Sequence, residues 1–346
     1  MAQTQISDVV VPAVFAPYVQ LLSTNLSLLV RTGVISNSPA LSSALNGGGR
    51  FIDMPHWNDL ADTLANVSTD SGSDLIRPGV QADANDATPT NIIAGRTVAI
   101  RNNRNQSWSS MDLASQLAGP DAMDAIASRV ASYWVRQDQL QLNSVIKGLV
   151  AGNATLLNDV AAADGVNAAD ANLFSADALL DTFQLMGDHK QNITAIAVHS
   201  AVHTRMQKLN LIDFVADSGA NVGFGTYMGK SLLVDDSLAT ATDTDALAAS
   251  RVRYYTVAFG AGAFQYGAGS PRVASEVSRQ ALAGNGGGQE VLTSRREYVL
   301  HPAGFTVASN VSAGQSPTNA ELEASTAYTM NYDRKLVPVS ILITNG

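Results

Sequence analysis

The longest regular pattern of apolar and polar positions in this chain runs from Gly119 to Gly152. Pro120 suits the first position of a helix, where its missing N–H costs nothing, and no helix breaker follows until Gly148. The pattern predicts one helix of about 30 residues and about 45 Å, against a usual mean of about 11–12 residues. A helix of that length is typical of a protein that spans and braces an extended subunit.

The apolar positions of this segment form two stripes. A polar stretch at 136–141 separates them, and the second stripe is rotated by roughly 90° because each residue turns a helix by about 100°. The stripes contain Met123, Ile126, Ala127, Val130 and Trp134, and then Leu142, Val145, Ile146 and Leu149. We therefore predict that the two halves pack on different layers. Two shorter helices with a bend between them are the alternative.

A second pattern predicts a protruding β-hairpin over residues 50–107. Predicted strands at 50–54 and 92–101 flank about 37 mostly polar residues, and loops longer than about 12–15 residues are uncommon and usually functional. Such a hairpin cannot bury a core of its own, so it needs a neighbouring molecule. Ahead of it we predict an extended arm at 1–16 and a short amphipathic helix at 17–31.

The rest of the chain alternates between shorter helical and strand patterns. Helices are predicted at 175–187, 200–209 and 318–329, the first capped by Ser175 and the last by a Thr318–Glu321 capping box. Strands are predicted at 193–198, 231–234, 251–259, 263–266, 273–279, 290–300, 304–309 and 336–344. Residues 154–171 are predicted to be connective. We expect a mixed β-α-β-β region at about 175–270 and a mostly β region after it.

Composition narrows the class of protein. The chain has no cysteine, which excludes disulfides and cysteine metal sites. Charged residues make up 15% of the chain, below the typical value of about 25%, which indicates that much of the surface lies in subunit contacts. A net charge of −9 with 21 basic residues argues against sequence-specific nucleic-acid recognition.

No targeting or membrane segment is predicted. The N-terminus has no basic region, and Pro12 and Pro17 interrupt its apolar run. No apolar run approaches the roughly 18–20 residues of a membrane span. We expect a cytoplasmic protein that is soluble until it assembles.

Candidate chemistry is sparse. Gly229-Lys230-Ser231 matches the end of a phosphate-binding loop, but the first glycine that this motif requires falls on Phe224, and a strand rather than a helix is predicted to follow. His199 and His203 have the spacing of a zinc motif without its glutamate. We therefore predict no catalytic, cofactor-binding or metal-binding residues.

The order of these segments resembles a known family. After the hairpin and the long helix comes a β-α-β stretch, ITAIAVHSAVHTRMQKLNLI followed by GKSLLVDDS. The chain then closes on REYVLHPAGF and NYDRKLVPVSILITN. Together these segments resemble a tailed-bacteriophage major capsid protein with the Hong Kong 97-type fold, an α+β fold. The resemblance covers nearly the whole chain.

The resemblance implies a domain organisation and a shell-forming function. We expect an N-terminal arm and short helix (1–49), an E-loop hairpin (50–107), the spine helix of the peripheral domain (108–152), an axial domain (153–270), and peripheral strands with a C-terminal strand (271–346). The first half of the spine helix would pack under the peripheral strands, and the second half would lead toward the axial domain. The fold implies hexamers and pentamers that close into an icosahedral virion shell, assembled in the bacterial cytoplasm.

The resemblance also implies partners. These are other copies of the chain, a portal protein at one vertex, a decoration protein in some shells, and enclosed double-stranded DNA bound without sequence specificity. A separate scaffolding protein is expected, because only about 50 residues precede the hairpin, too few for the fused scaffolding segment of some relatives. The lysine cross-link of some relatives is not expected, because no lysine lies in 50–107. The expected subunit-interface residues are Phe15, Tyr18, Phe51, Met54, Trp57, Leu75, Ile76, Ile92 and Trp108.

Two other functions remain open from the sequence. An encapsulin-like bacterial compartment shell resembles the same fold but holds protein cargo. A nucleotide-binding enzyme would use the Gly229-Lys230-Ser231 loop.

Overall fold

The computed structural model describes residues 34–60, 64–65, 90–112, 122–162, 168–212, 225–236, 238, 240–241 and 252–346. The expected arm at 1–16 and the helix expected at 17–31 lie outside the described residues. The described part is an α+β fold in which one long helix lies against two β-sheets.

Besides a short helical turn at Ala283–Gly286, in which Gly284 and Asn285 have positive φ values, the described segments contain five α-helices. They are α1 (Pro39–Asn46), α2 (Ala122–Gly152), α3 (Ala176–Gln184), α4 (Ser200–Lys208) and α5 (Asn319–Leu322). Side chains cap the short helices: the Ser38 hydroxyl accepts the N–H of Leu41, and the Ser175 hydroxyl accepts that of Ala178. The predicted capping box of Thr318 and Glu321 is present, and it starts α5.

The first sheet has five strands. They are β1 (Ile35–Asn37), β4 (Asn102–Met111), β11 (Phe264–Ala268), β12 (Ser275–Gln280) and β13 (Gln289–Pro302). β13 is the longest and pairs antiparallel with three others: β4 on one side, and β12 and then β11 on the other. β1 adds to β11 in parallel. β13 therefore organises this sheet.

The second sheet has seven strands. They are β5 (Leu157–Asp159), β6 (Ile193–Val198), β7 (Thr226–Tyr227), β8 (Lys230–Val234), β9 (Thr240–Ala241), β10 (Arg253–Gly260) and β16 (Val339–Thr344). The order is β5-β16-β10-β6-β8-β7, and β9 pairs with the start of β10. β16 lies inside the sheet, between β5 and β10, and all six of its residues are buried, as expected for a strand that is covered on both faces.

Two small hairpins complete the fold. β2 (Phe51–Trp57) pairs with β3 (Ala94–Ile100), and β14 (Phe305–Val307) pairs with β15 (Tyr328–Met330). The first confirms the predicted hairpin strands.

Helix α2 is one continuous helix of 31 residues, as the sequence predicts. Its two apolar stripes contribute to different hydrophobic clusters. Val130 and Trp134 pack with Leu292 of the five-stranded sheet, and Met123 and Ile126 lie at the edge of that cluster. The second stripe joins the largest cluster of the subunit, together with residues of the seven-stranded sheet such as Ala197, Val257 and Ile341. The prediction that the halves pack on different layers is confirmed.

Sheet membership differs from the sequence prediction in two places. The strand predicted at 336–344 was grouped with the peripheral strands, but β16 lies in the seven-stranded sheet beside β10. The strand predicted at 263–266 was grouped with the mixed region, but β11 lies in the five-stranded sheet. The chain passes from the seven-stranded sheet to the five-stranded sheet in the turn between β10 and β11, where Gly262 has a φ of +68°. Which sheet a strand joins depends on partners far away in sequence, and the local pattern of apolar and polar residues does not specify such partners.

Three local predictions were also wrong. The helix expected at 318–329 ends at Leu322, because Tyr328–Met330 pairs with β14 instead. Residues 157–159, expected to be connective, form β5. Residues 102–111 form β4, which crosses the expected boundary between 107 and 108 and pairs with β13 over ten residues.

Candidate subunit interface

The base of hairpin β2–β3 is packed within the subunit. Ile52 and Ala99 face Leu41 and Leu45 of α1 and Val299 of β13, and together they form a small buried cluster. Pro39 and the Ser38 cap fix the start of α1, whose buried face covers the hairpin. The base therefore packs on its own subunit through α1 and β13, whereas the expectation was that the hairpin needs a neighbouring molecule.

Polar contacts tie the same base to the body of the subunit. The Arg101 guanidinium pairs with the Glu297 carboxylate at 2.7 Å, and both side chains are largely buried. The guanidinium of Arg50 donates to the carbonyl oxygen of Ser312. Farther along, the Asn331 amide donates to the carbonyl oxygen of Arg96 at 2.9 Å. These contacts fix the direction in which the hairpin leaves the subunit.

Beyond the base, the hairpin exposes large apolar side chains. The exposed fractions are 70% for Trp57, 64% for Leu60, 97% for Leu64, 48% for Ile92 and 61% for Ile93. Isolated exposed leucines are normal, but five large apolar side chains exposed within one hairpin are typical of an interaction site. We call this region, residues 57–93, the free end of the hairpin.

The free end is also strongly acidic. Residues 57–93 contain six aspartates and one arginine, a net charge of −5 within a chain of net charge −9. Asp59 lies beside the exposed Leu60, and its carboxylate accepts the Leu60 N–H at 2.8 Å. The free end therefore combines apolar surface with negative charge.

The predicted interface residues fall into three groups. Trp57 and Ile92 are exposed on the free end. Phe51, Met54 and Trp108 are half-buried and pack within the subunit; the Trp108 ring meets the Tyr133 ring edge-on at 5.2 Å. Phe15, Tyr18, Leu75 and Ile76 lie outside the described residues. An interface role for each of these residues stays a prediction.

The Gly229-Lys230-Ser231 segment is a hairpin turn. Met228 and Gly229 have φ values of 51° and 74°, the positive values that a type I′ turn between two strands requires. Lys230 lies in β8, where its ammonium donates to the carbonyl oxygen of Ile193 at 2.6 Å. No helix follows to present N–H groups to a phosphate, so the segment has no phosphate-binding geometry.

His199, the first histidine of the predicted pair, has a structural role. The His199 side chain caps α4 by accepting the Ala201 N–H at 3.1 Å. Across the described segments, no group of three or more His, Asp or Glu residues is placed to hold a metal ion. None of the described helices is long and apolar enough to cross a membrane.

Sequence reasoning missed the residues that anchor the hairpin. Arg50 and Arg101 flank its two strands in sequence, and this pairing is the one available signal. Their partners, Ser312 and Glu297, are 262 and 196 residues away along the chain and cannot be inferred from spacing.

Known proteins with the same sequence pattern are phage coat proteins. A family model described as major capsid protein 13-like, of the Gp13-like family, matches residues 72–335. The major capsid protein of Bacillus phage SPP1 is 36% identical over 344 residues, which cover 98% of this chain and 97% of that protein.

Solved structures agree on the fold. The capsid of Ralstonia phage GP4 aligns with a TM-score of 0.53 at 11% identity, covering 90% of this chain and 87% of that one. The capsid of cyanophage Pam1 aligns with a TM-score of 0.50 at 9% identity, covering 90% and 88%. At such identities the likeness shows the fold alone. The α+β architecture with one long helix is thus that of tailed-phage capsids, and the family match and the SPP1 relative establish that this chain belongs to the Gp13-like family of phage major capsid proteins.

Proposed function

We propose that this major capsid protein joins neighbouring subunits of its shell through the free end of hairpin β2–β3. The observation that carries the proposal is the contrast within the hairpin: a tethered base, and a free end that exposes Trp57, Leu60, Leu64, Ile92 and Ile93. A subunit that kept this apolar surface in water would lose the free energy that its burial provides, roughly 25 cal/mol per Å². A second copy provides a partner at every position of a closed shell.

We further propose the division of the subunit that the Hong Kong 97-type fold implies. The five-stranded sheet and the first half of α2 would form the peripheral domain, and the seven-stranded sheet would form the axial domain at the centre of hexamers and pentamers. Scaffolding protein, portal protein, enclosed double-stranded DNA and, in some shells, a decoration protein are the proposed partners. The net charge of −9 supports DNA that is enclosed rather than tightly bound.

We also propose that the chain has no catalytic function. The relatives are coat proteins, and the two motifs that suggested chemistry have structural roles as a hairpin turn and a helix cap. Measured nucleotide binding that is lost on Lys230→Ala would contradict this.

The test compares two variants of one exposed residue. Trp57→Asp places a charge where we propose apolar contact between copies, and Trp57→Phe keeps an apolar ring there. We expect shells from Trp57→Phe and free subunits or capsomers from Trp57→Asp, measured by negative-stain microscopy and sedimentation. Because Trp57 is exposed in the subunit, circular dichroism should show the same fold for both. Normal shells from Trp57→Asp would contradict the proposal.

A further inference from the structure

A polar cavity lies where helix α2 meets strands β4 and β13 and helix α5. Its volume is about 180 Å³, which exceeds the roughly 30 Å³ of one water molecule and is less than the roughly 300–1,000 Å³ of a drug-sized ligand pocket. The cavity is partly open to solvent, and its lining includes Arg104, Trp134, Gln141, Tyr298 and Asn319. It therefore has room for a small organic molecule.

Gln141 provides an unused hydrogen-bond donor at this cavity. The side chain is 2% exposed, and its oxygen accepts a hydrogen bond from the Tyr298 hydroxyl. Burial raises the pKa of Tyr298, so this hydroxyl stays protonated and continues to donate to the Gln141 oxygen. The Gln141 amide nitrogen has no hydrogen-bond partner among the described residues. Because a buried donor without a partner is costly, an acceptor bound in the cavity would stabilise it.

The cavity also has a positive charge that no described carboxylate balances. Arg104 is half-buried, and its guanidinium donates to the neutral side-chain oxygen of Asn319 at 3.0 Å. Among the described residues, the acids of the surrounding elements are paired with other cations: Asp138 with Arg296, Glu297 with Arg101, and Glu323 with Lys147. A half-buried charge is screened less by salt than an exposed one, so Arg104 attracts an anion into the cavity.

We propose that this cavity binds a free small monocarboxylate, held by the Arg104 guanidinium and by the Gln141 amide nitrogen. The fork of a guanidinium matches the two oxygens of a carboxylate. The Trp134 and Tyr298 rings provide an apolar wall for a short hydrocarbon tail. One unpaired cation balances one negative charge, whereas the second charge of a phosphate would have no partner. The proposal does not depend on the contact made by the hairpin.

The other cavity along α2 does not suit an anion. Its volume is about 80 Å³, and apolar side chains such as Leu142, Ile146 and Phe259 form most of its described lining. The charged side chain among the described residues of that lining is Asp235, which would repel an anion. The positive charge therefore distinguishes the cavity at Arg104.

Propionate is the probe for the ligand class. Saturation-transfer NMR on free subunits of the unmodified chain, at constant ionic strength, should show binding with half-saturation on the order of 1–10 mM. Propionamide has a similar shape without the charge, and inorganic phosphate is tested by its displacement of propionate. Both should bind at least about tenfold more weakly. No binding of propionate, or equal binding of propionamide or phosphate, would overturn the proposal.

Two variants test whether the carboxylate binds where we propose. Arg104→Gln should raise the half-saturation concentration about tenfold, because the guanidinium fork is lost, and Gln141→Leu should raise it about threefold, because one donor is lost. The matched control is Arg295→Gln. Arg295 is next to Arg296 in β13 but on the opposite face of the strand, where it pairs with Glu276, so its replacement should leave binding unchanged. Equal losses for Arg104→Gln and Arg295→Gln would overturn the proposal.

A measurement that keeps both donors locates the ligand even if those variants fail to fold. The chain has three tryptophans, so Trp57→Phe with Trp108→Phe leaves Trp134 as the one fluorescent indole. Propionate should change the Trp134 emission with the same half-saturation concentration, in free subunits and in assembled shells. An unchanged emission would place the ligand outside the cavity and overturn the proposal. Loss of binding in shells alone would show that a neighbouring copy fills the cavity, which would overturn the assignment to a free ligand.

Discussion

The two halves of helix α2 are held in the subunit by different kinds of contact. The first half lies on the five-stranded sheet through Trp134 and a set of hydrogen-bonded polar groups. The second half lies in the largest apolar cluster, with Val145, Ile146 and Leu149 fully buried. The polar stretch between the stripes therefore contacts the five-stranded sheet, through Asp138 and Gln141. The sequence alone would have suggested that this stretch is exposed to solvent.

The contact of the first half is directional. Arg296 of β13 donates to both oxygens of Asp138, donates to the Tyr266 hydroxyl at 3.1 Å, and lies over the Trp134 ring at 5.4 Å. The Tyr298 hydroxyl donates to the Gln141 side chain. Such a network specifies one position of the helix on the sheet, at the cost of desolvating a charge pair.

The contact of the second half depends on close approach. Gly148 and Gly152 face the end of α5 and the residues that follow it, where the carbonyl oxygens of Leu322 and Ser325 occupy the space that a Cβ atom would need. Two glycines four residues apart lie on one side of a helix, so they allow a backbone to pack directly against it. The contact of the second half therefore depends on the absence of side chains at these two glycines, and not on polar pairs.

The largest loss of stability is expected at Gly148, where there is no room for a side chain. Gly148→Val places a branched side chain into the Leu322 carbonyl, and the backbone of both segments must move; we expect a loss of about 4 kcal/mol in the free energy of unfolding, or failure to fold. Ser132→Val, at an exposed position of the same helix, should cost less than about 1 kcal/mol. Urea unfolding followed by circular dichroism measures both. Similar midpoints for the two variants would contradict the close-packing explanation.

Acid should act in opposite directions on two titratable groups, Asp138 of α2 and His301 of β13. Burial lowers the pKa of His301 from 6.5 to about 4, so the unfolded chain binds more protons between these values and stability falls as the pH falls. The loss reaches about 3 kcal/mol at pH 4. Burial raises the pKa of Asp138, with Arg296 opposing, so this carboxyl favours the folded state as the pH falls.

The measurement is the change in unfolding free energy between pH 7 and pH 4. His301→Gln should reduce that change by about 3 kcal/mol relative to the unmodified chain, because a glutamine does not titrate. Asp138→Asn should not reduce it. If Asp138→Asn removes the acid sensitivity and His301→Gln does not, the assignment of that sensitivity to His301 is wrong.

Removing one partner of the polar contact should cost less than Gly148→Val. Asp138→Ala leaves the largely buried Arg296 with the Tyr266 hydroxyl and the Trp134 ring as partners, and about 2 kcal/mol is expected because Asp138 is partly exposed. Replacing both residues, with Asp138→Leu and Arg296→Met, should recover much of that loss. A double variant as unstable as Asp138→Ala would show that the pair itself stabilises the fold.

The sequence predicted most elements whose signal is local. The extent of α2, its two stripes, strand β6 at 193–198 and the Ser175 cap all follow from spacing and capping rules, and each is present.

The sequence did not predict the elements that depend on distant partners. β4, NNRNQSWSSM, has few of the residues that favour strands, and it is a strand because β13 pairs with all ten of its residues. The sheet that receives β16 is likewise decided by β10 and β5, far away in sequence. The polar stretch of α2 could be located from sequence, but its partner Arg296 could not.

The smallest effect is expected from one hydrogen bond of the first half. The Trp134 indole N–H donates to the Ser294 hydroxyl at 3.1 Å inside the contact. Trp134→Phe removes the donor and part of the ring volume while keeping an aromatic face for Arg296, and we expect a loss of about 1–2 kcal/mol. Trp57→Phe, on the exposed free end, should change the stability of the free subunit by less than about 0.5 kcal/mol.

A double-variant cycle separates the hydrogen bond from the packing. If the bond contributes, Trp134→Phe and Ser294→Ala together should cost about 1 kcal/mol less than the sum of the single changes, because each single change leaves a buried polar group without its partner. Strict additivity would show that Trp134 acts through its ring alone. The first half of α2 would then be held by packing and by the Asp138–Arg296 pair, and its contrast with the second half would rest on that one pair.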